Sequence, residues 1–144
     1  MSKYLVVANQ TVTSEELTRC LLERADRELG AQFVLVVPAT PVEHLLTPEQ
    51  GEATQIAARR AGRALTHLTD AGVPVVGAYV GGASLITAID DAIRERVSEY
   101  AGIILCTLPI GTSRWFEPDL VQRLEFAFHL PVTHVVASHP LAAV

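Results

Sequence analysis

Ile103-Ile104-Leu105-Cys106-Thr107 and Val132-Thr133-His134-Val135-Val136 bracket the stretch that decides the fold. Between them lies a loop, Leu108-Pro109-Ile110-Gly111-Thr112-Ser113-Arg114-Trp115-Phe116-Glu117, and then a helical pattern. The two apolar runs are rich in β-branched residues, so the stretch reads strand, loop, helix, strand. The loop holds a glycine, two hydroxyls, an arginine and the only tryptophan of the chain. A loop that leaves the carboxyl end of a parallel strand is where an α/β protein usually binds something.

Working outward, the same alternation of element types repeats. Tyr4-Leu5-Val6-Val7-Ala8, Phe33-Val34-Leu35-Val36-Val37 and Val75-Val76-Gly77-Ala78-Tyr79-Val80 are three further strand candidates. The first two run apolar without alternating, as in strands covered on both faces. Thr13 with Glu16 forms a capping-box signal for a first helix, whose apolar face reads Leu17, Leu21, Leu22, Ala25 and Leu29, with Gly30 as the stop. Thr47-Pro48-Glu49-Gln50 opens a second helix, which runs to about Asp70 on the period of Ala53, Ile56, Ala57, Ala61, Ala64, Leu65 and Leu68. Arg59, Arg60 and Arg63 cluster on it, as a solvated flank or, in the sharper reading, a phosphate site. Gly81-Gly82 predicts a turn. Ser84 then caps a third helix with the stripe Leu85, Ile86, Ile89, Ile93, Val97 and Tyr100, ended by Gly102. Asp119, with Gln122, caps a fourth helix; Leu120, Leu124, Ala127 and Phe128 face the core, and Pro131 stops it.

The totals narrow the function classes. A chain of 144 residues is expected to form one domain, residues 1–144 with a tail at 138–144, and to hide roughly 70% of its unfolded surface. With 49% hydrophobic and 19% charged residues, disorder is not expected. A net charge of −5 argues against nucleic acid as the main partner. No apolar run has the length of a membrane span, and the amino-terminal run is too short for a signal peptide, so a soluble cytoplasmic protein is expected. Cys20 and Cys106 fall in different elements and read as buried thiols. The five histidines, His44, His67, His129, His134 and His139, show no metal-ligand spacing.

Strands alternating with helices predict a five-stranded parallel sheet, doubly wound, with helices on both faces. If the strand order is 3-2-1-4-5, the winding reverses between strands one and four. The ligand crevice opens there, where Asn9, Gln10 and Thr11 meet the loop from Leu108 to Arg114.

The chain at this point resembles the universal stress protein family along nearly its whole length. The resemblance rests on the five-strand pattern, the long loop and helix after strand two, and Gly82 leading into helix three. It continues with Ile103-Ile104-Leu105, a loop, a helix and the closing Leu130-Pro131-Val132. It implies the 3-2-1-4-5 order and a homodimer paired through strand five. ATP-binding members carry an aspartate after strand one and a glycine motif after strand four whose amides approach phosphates. Here Asn9 stands at the aspartate position. Aligned back from Pro131-Val132, Leu105 and Leu108 fall on the motif's first glycines, and Pro118 and Asp119 on its closing pair. Proline offers no amide donor, and a carboxylate at the helix start repels phosphate. The resemblance therefore implies a divergent branch that lacks the usual ATP grip. The candidate ligand set is Asn9, Gln10, Pro38, Gly111, Thr112, Ser113 and Arg114. The hydroxyls and amides would meet an anion, and Arg114 would supply the charge. The bland alternative packs Trp115 and Phe116 into the core and pairs Arg114 with an acidic neighbour.

No constellation for catalysis stands out. Cys106 ends a strand without a placed histidine, and Asp90-Asp91 read as helix electrostatics. A receiver domain would need clustered acids after strand one and a lysine after strand five, where this chain has Asn9-Gln10 and Ser138-His139. A flavodoxin would need a glycine among Thr11-Val12-Thr13-Ser14. Two readings remain: a stress-type protein that binds a small anion or nucleotide, and a dimeric scaffold of the same fold that binds no nucleotide.

Overall fold

The computed structural model describes residues 2–8, 11–38, 50–81, 85–95, 100–108 and 119–137. Strands and helices alternate: β1 (Lys3–Val7), α1 (Glu15–Arg27), β2 (Gln32–Pro38), α2 (Gln50–Asp70), β3 (Val75–Gly81), α3 (Leu85–Glu95), β4 (Gly102–Thr107), α4 (Leu120–Phe128) and β5 (Val132–Val136). The strands form one parallel sheet in the order β3-β2-β1-β4-β5, as expected. Val6 lies opposite Leu35 on one side and Ile104 on the other, which puts β1 at the centre.

The unbroken apolar runs now have their cause. Successive side chains of a strand point to opposite faces, and both faces of the central strands are covered. On one face Tyr4, Val6, Phe33, Leu35, Ile104 and Cys106 pack with Leu17 and Leu21 of α1 and Ala57, Ala61, Ala64 and Leu68 of α2. On the other, Leu5, Val7, Val34, Val36, Ile103 and Leu105 pack with Ile89 and Ala92 of α3 and Leu120 and Leu124 of α4. Every residue of β4 is buried. The edge strands β3 and β5 are only half covered.

Helix ends follow local chemistry, with corrections to the sequence reading. The cap of α1 is Ser14, not Thr13: the Ser14 hydroxyl accepts from the Leu17 amide at 3.2 Å. Glu15 and Glu16 then occupy the first turn and Arg24 and Arg27 the last, each charge favourable to the helix dipole. The helix ends before Leu29, which is 96% exposed rather than on the apolar face. Leu65 and Ala127 also point outward. Gly72 takes a left-handed φ of +94°, which a glycine adopts without strain and which stops α2. Asp119 precedes α4 but makes no side-chain cap bond, and His129, with φ of 54°, closes that helix. Gly102 begins β4 instead of ending α3, and Tyr100 is buried outside the helix. Gly81 belongs to β3 rather than to a turn. A Cβ there would lie 2.3 Å from the Ala88 Cβ, so the bare backbone lets α3 approach the strand end.

Candidate functional site

In a sheet of this order the chain winds one way from β1 to β3 and the other way from β1 to β5. The crossovers diverge at the carboxyl ends of β1 and β4, the place at which open α/β sheets generally bind ligands. The described residues around that point are Ala8, Thr11, Val12 and Ser14 from the β1–α1 connection and Cys106, Thr107 and Leu108 from the end of β4.

Polar contacts tie these two strand ends together. The Thr11 hydroxyl, buried, donates to the Cys106 carbonyl at 3.0 Å. The Ser14 amide donates to the Thr11 carbonyl at 3.0 Å, and Ser14 Oγ lies 3.8 Å from Cys106 Sγ. The turn after β1 is thus held against β4 through residues ninety-odd positions away in sequence. The sequence reading set Thr11 against the loop from Leu108 to Arg114; its observed partner is Cys106 of β4.

Across the β4–β5 junction, Thr107 Oγ1 and His134 Nε2 are 2.7 Å apart. A hydroxyl both donates and accepts, so the bond forms with either neutral tautomer of the ring. Burial pushes the His134 pKa below the usual histidine range and favours the uncharged ring. The Ala137 amide continues the β5 pairing by donating to the Thr107 carbonyl at 2.8 Å.

Cys106 is fully buried among the side chains of α1 and its neighbouring strands. Burial raises its thiol pKa, and hydrogen bonds from Thr11 and Ser14 offset only part of that. A thiol held protonated and enclosed is a poor nucleophile. Cys20, half-buried, is likewise raised by burial. Among the described residues no group of three or more His, Cys, Asp or Glu side chains is placed to hold a metal ion.

Of the candidate ligand set, Pro38 is described: it closes β2, opposite Gly81 of β3, at the carboxyl edge of the sheet. Asn9, Gln10, Gly111, Thr112, Ser113 and Arg114 lie outside the described residues. Leu105 and Leu108 stand where the nucleotide-binding motif would have glycines. Leu105 is paired in the sheet to both Val7 and His134, and both leucines are buried. The sequence reading missed the Thr107–His134 pair. The signal for it was a polar residue in each of two β-prone runs, Thr107 at the end of one and His134 in the middle of the other.

No protein-family model matches the sequence, and no curated protein matches it. Solved structures do match in fold. A universal stress protein from Archaeoglobus fulgidus superposes with a TM-score of 0.60 at 13% identity, covering 94% of this chain and 93% of its own. A universal stress protein family member from Burkholderia pseudomallei gives 0.63 at 18% identity, covering 94% and 96%. The fold of the chain is that of these universal stress proteins.

Proposed function

We propose that the chain is a universal stress protein-like cytoplasmic protein that binds a small anion or nucleotide fragment in the cleft between β1 and β4, without a tight grip on ATP. One observation carries this reading: the winding reversal at β1 and β4, with the turn after β1 held against β4 by the Thr11–Cys106 bond. In sequence, Asn9 and Gln10 follow β1, and residues 109–118 follow β4. Gly111, Thr112, Ser113 and Arg114 are the donors we assign to the ligand, with Pro38 at the neighbouring strand end. For ATP the expectation is weak binding or none, because Pro118 and Asp119 stand at the phosphate-facing helix start. The cytoplasmic setting accords with two free thiols and with no described helix being long and apolar enough to cross a membrane.

Two measurements test the proposal. Mass spectrometry of the denatured protein should find a co-purified phosphate- or carboxylate-bearing molecule, and that molecule should raise the melting temperature on re-addition. Arg114→Ala should then lower its affinity roughly ten- to hundredfold, the loss of about 1.5–3 kcal/mol for a charged hydrogen bond, with the melting temperature of the free protein unchanged. Retained affinity with a lowered melting temperature would make Arg114 a structural partner instead. Tight magnesium-dependent ATP binding by calorimetry would contradict the reading of Pro118 and Asp119.

A second reading, a homodimeric scaffold, draws on one observation. β5 is an edge strand, and its Val136 is 49% exposed. An uncovered apolar edge invites pairing with a second copy. Light scattering at micromolar concentration should give a dimer mass, and a charged substitution, Val136→Lys, should shift it to monomer.

A further inference from the structure

On the outer side of the α1–α2 layer, Arg59, Gly62, Arg63, Thr66 and His67 of α2 line a groove of about 510 Å³. Arg59, Arg63 and His67 are spaced four residues apart and so stack in one column along the helix. All three are exposed. At the His67 end, Nε2 meets the Thr18 hydroxyl of α1 at 3.2 Å. That hydroxyl also donates to the Ser14 carbonyl at 3.0 Å, so it accepts from His67, and Nε2 carries the proton.

This column breaks the charge pattern seen in α1 and α3. Arg19 pairs with Glu15 at 2.9 Å, Arg94 with Asp90 at 3.1 Å and Arg24 with Glu28 at 3.5 Å, each at a spacing of four. Four positions before Arg63 stands Arg59, a like charge, which destabilises a helix. Among the described residues, neither Arg59 nor Arg63 has a carboxylate within ion-pair distance. Arg63 also depresses the pKa of half-buried Arg60, an effect second to burial. The chain as a whole carries a net charge of −5, so the like-charged pair Arg59 and Arg63 runs against its overall balance.

Gly62 is the second anomaly. It sits inside α2, where glycine is a poor helix former. Nothing lies within 4 Å of where its Cβ would be, so no close packing requires it. With no side chain, it leaves the helix surface next to Arg63 bare. Two guanidinium forks one turn apart suit a phosphate, whose three terminal oxygens can accept from both, better than a carboxylate, which one fork satisfies. From Arg59 to His67 the column spans about 12 Å at 1.5 Å per residue, longer than a phosphate group alone.

We propose that this groove is a second ligand site, independent of the β1–β4 cleft, which takes the phosphate ester of a small molecule: Arg59 and Arg63 hold the phosphate, and Thr66 and His67 border the organic part.

The test is a titration of ¹⁵N-labelled protein followed by amide chemical shifts, with glucose 6-phosphate, inorganic phosphate, glucose and sodium chloride as separate probes at matched ionic strength. Glucose 6-phosphate should give saturable shifts at Gly62 and Thr66, inorganic phosphate the same shifts at several-fold higher concentration, and glucose and chloride none. The double variant Arg59→Gln/Arg63→Gln should lose at least tenfold in affinity while its circular dichroism and melting temperature stay at or above those of the parent. Arg19→Gln should bind as the parent does. Equal shifts with chloride, saturation at other residues with Gly62 and Thr66 silent, or undiminished affinity in the folded double variant would each overturn the proposal.

Discussion

The two ends of the sheet are built on opposite plans. At the amino end, Tyr4 of β1 stacks on Phe33 of β2 with ring centroids 5.9 Å apart, and its hydroxyl donates to the Glu28 carboxylate at 2.6 Å. Arg24 lies over the Tyr4 ring, 5.0 Å from its centroid, reaches Glu28, and donates to Thr133 of β5 at 3.3 Å. One arginine thus links β1, the end of α1 and the sheet edge. Backbone bonds reinforce the closure: Gln32 to Ser2, Phe33 to Pro74, Ala101 to Lys3 and Ile103 to Pro131. Among the described residues, the polar contacts at the carboxyl end are shorter in reach. Thr11 binds a strand carbonyl and Thr107 binds His134, each across a single strand junction. Among the described residues, the contacts that span the sheet and α1 gather at the amino end. A fold that binds at one end of its strands can be secured at the opposite end without obstructing the site.

The strongest way to break this contrast is Phe33→Ala. Phe33 is fully buried beneath Tyr4, and the substitution should cost about 3–5 kcal/mol, read as a lower urea midpoint. If the ends are separable, the fraction that remains folded should bind any cleft ligand with parental affinity. Gly81→Ala tests the opposite end. The added methyl meets Ala88 at 2.3 Å, so a loss of about 1–3 kcal/mol is expected, accompanied by shifts in the amides of α3 but not at Tyr4 or Glu28. A change of comparable size at Tyr4 would show that the two ends are coupled.

Most of the layered architecture was readable before any coordinates. Unbroken apolar runs mark strands covered twice. What escaped the sequence was contact across distance. Tyr4 and Glu28 are 24 residues apart, Arg24 and Thr133 are 109 apart, and nothing in local pattern joins them. The Thr107–His134 bond depends on the β4–β5 register, which places Thr107 opposite Val136 and leaves His134 diagonal to it. Helix faces failed for a local reason. Leu29 follows the period of α1, but the chain has already left the helix at the Glu28 cap. The candidate loop was legible only as composition, since hydroxyls and an arginine name donors without fixing where they point.

Thr107→Val sharpens the comparison further. It keeps the shape of a buried side chain and removes its hydroxyl, so a loss of about 1 kcal/mol is expected from denaturant titration. The smallest effect concerns pH. Burial lowers the folded-state pKa of His134, so the unfolded chain binds the proton more readily than the folded one. The contribution is complete above the unfolded value, roughly pH 6.5, and is lost as pH falls from there through the folded value. His134→Gln should flatten that part of the stability profile relative to the parent, and an unchanged slope between pH 7 and 5 would assign it to other groups.

The two thiols differ in depth, and this makes the molecule its own recorder of motion. Cys20 lies half-buried on α1, while Cys106 of β4 has no exposed surface. A thiol-reactive dye added to the native protein must wait for each to be uncovered. Fraying of α1 alone suffices for Cys20, whereas Cys106 needs the layer to part from the sheet. The slower of the two labelling rates therefore reports cooperative opening and the faster one local opening. A bound cleft ligand should slow the labelling of Cys106 more than that of Cys20, which gives occupancy a kinetic readout without any engineered probe.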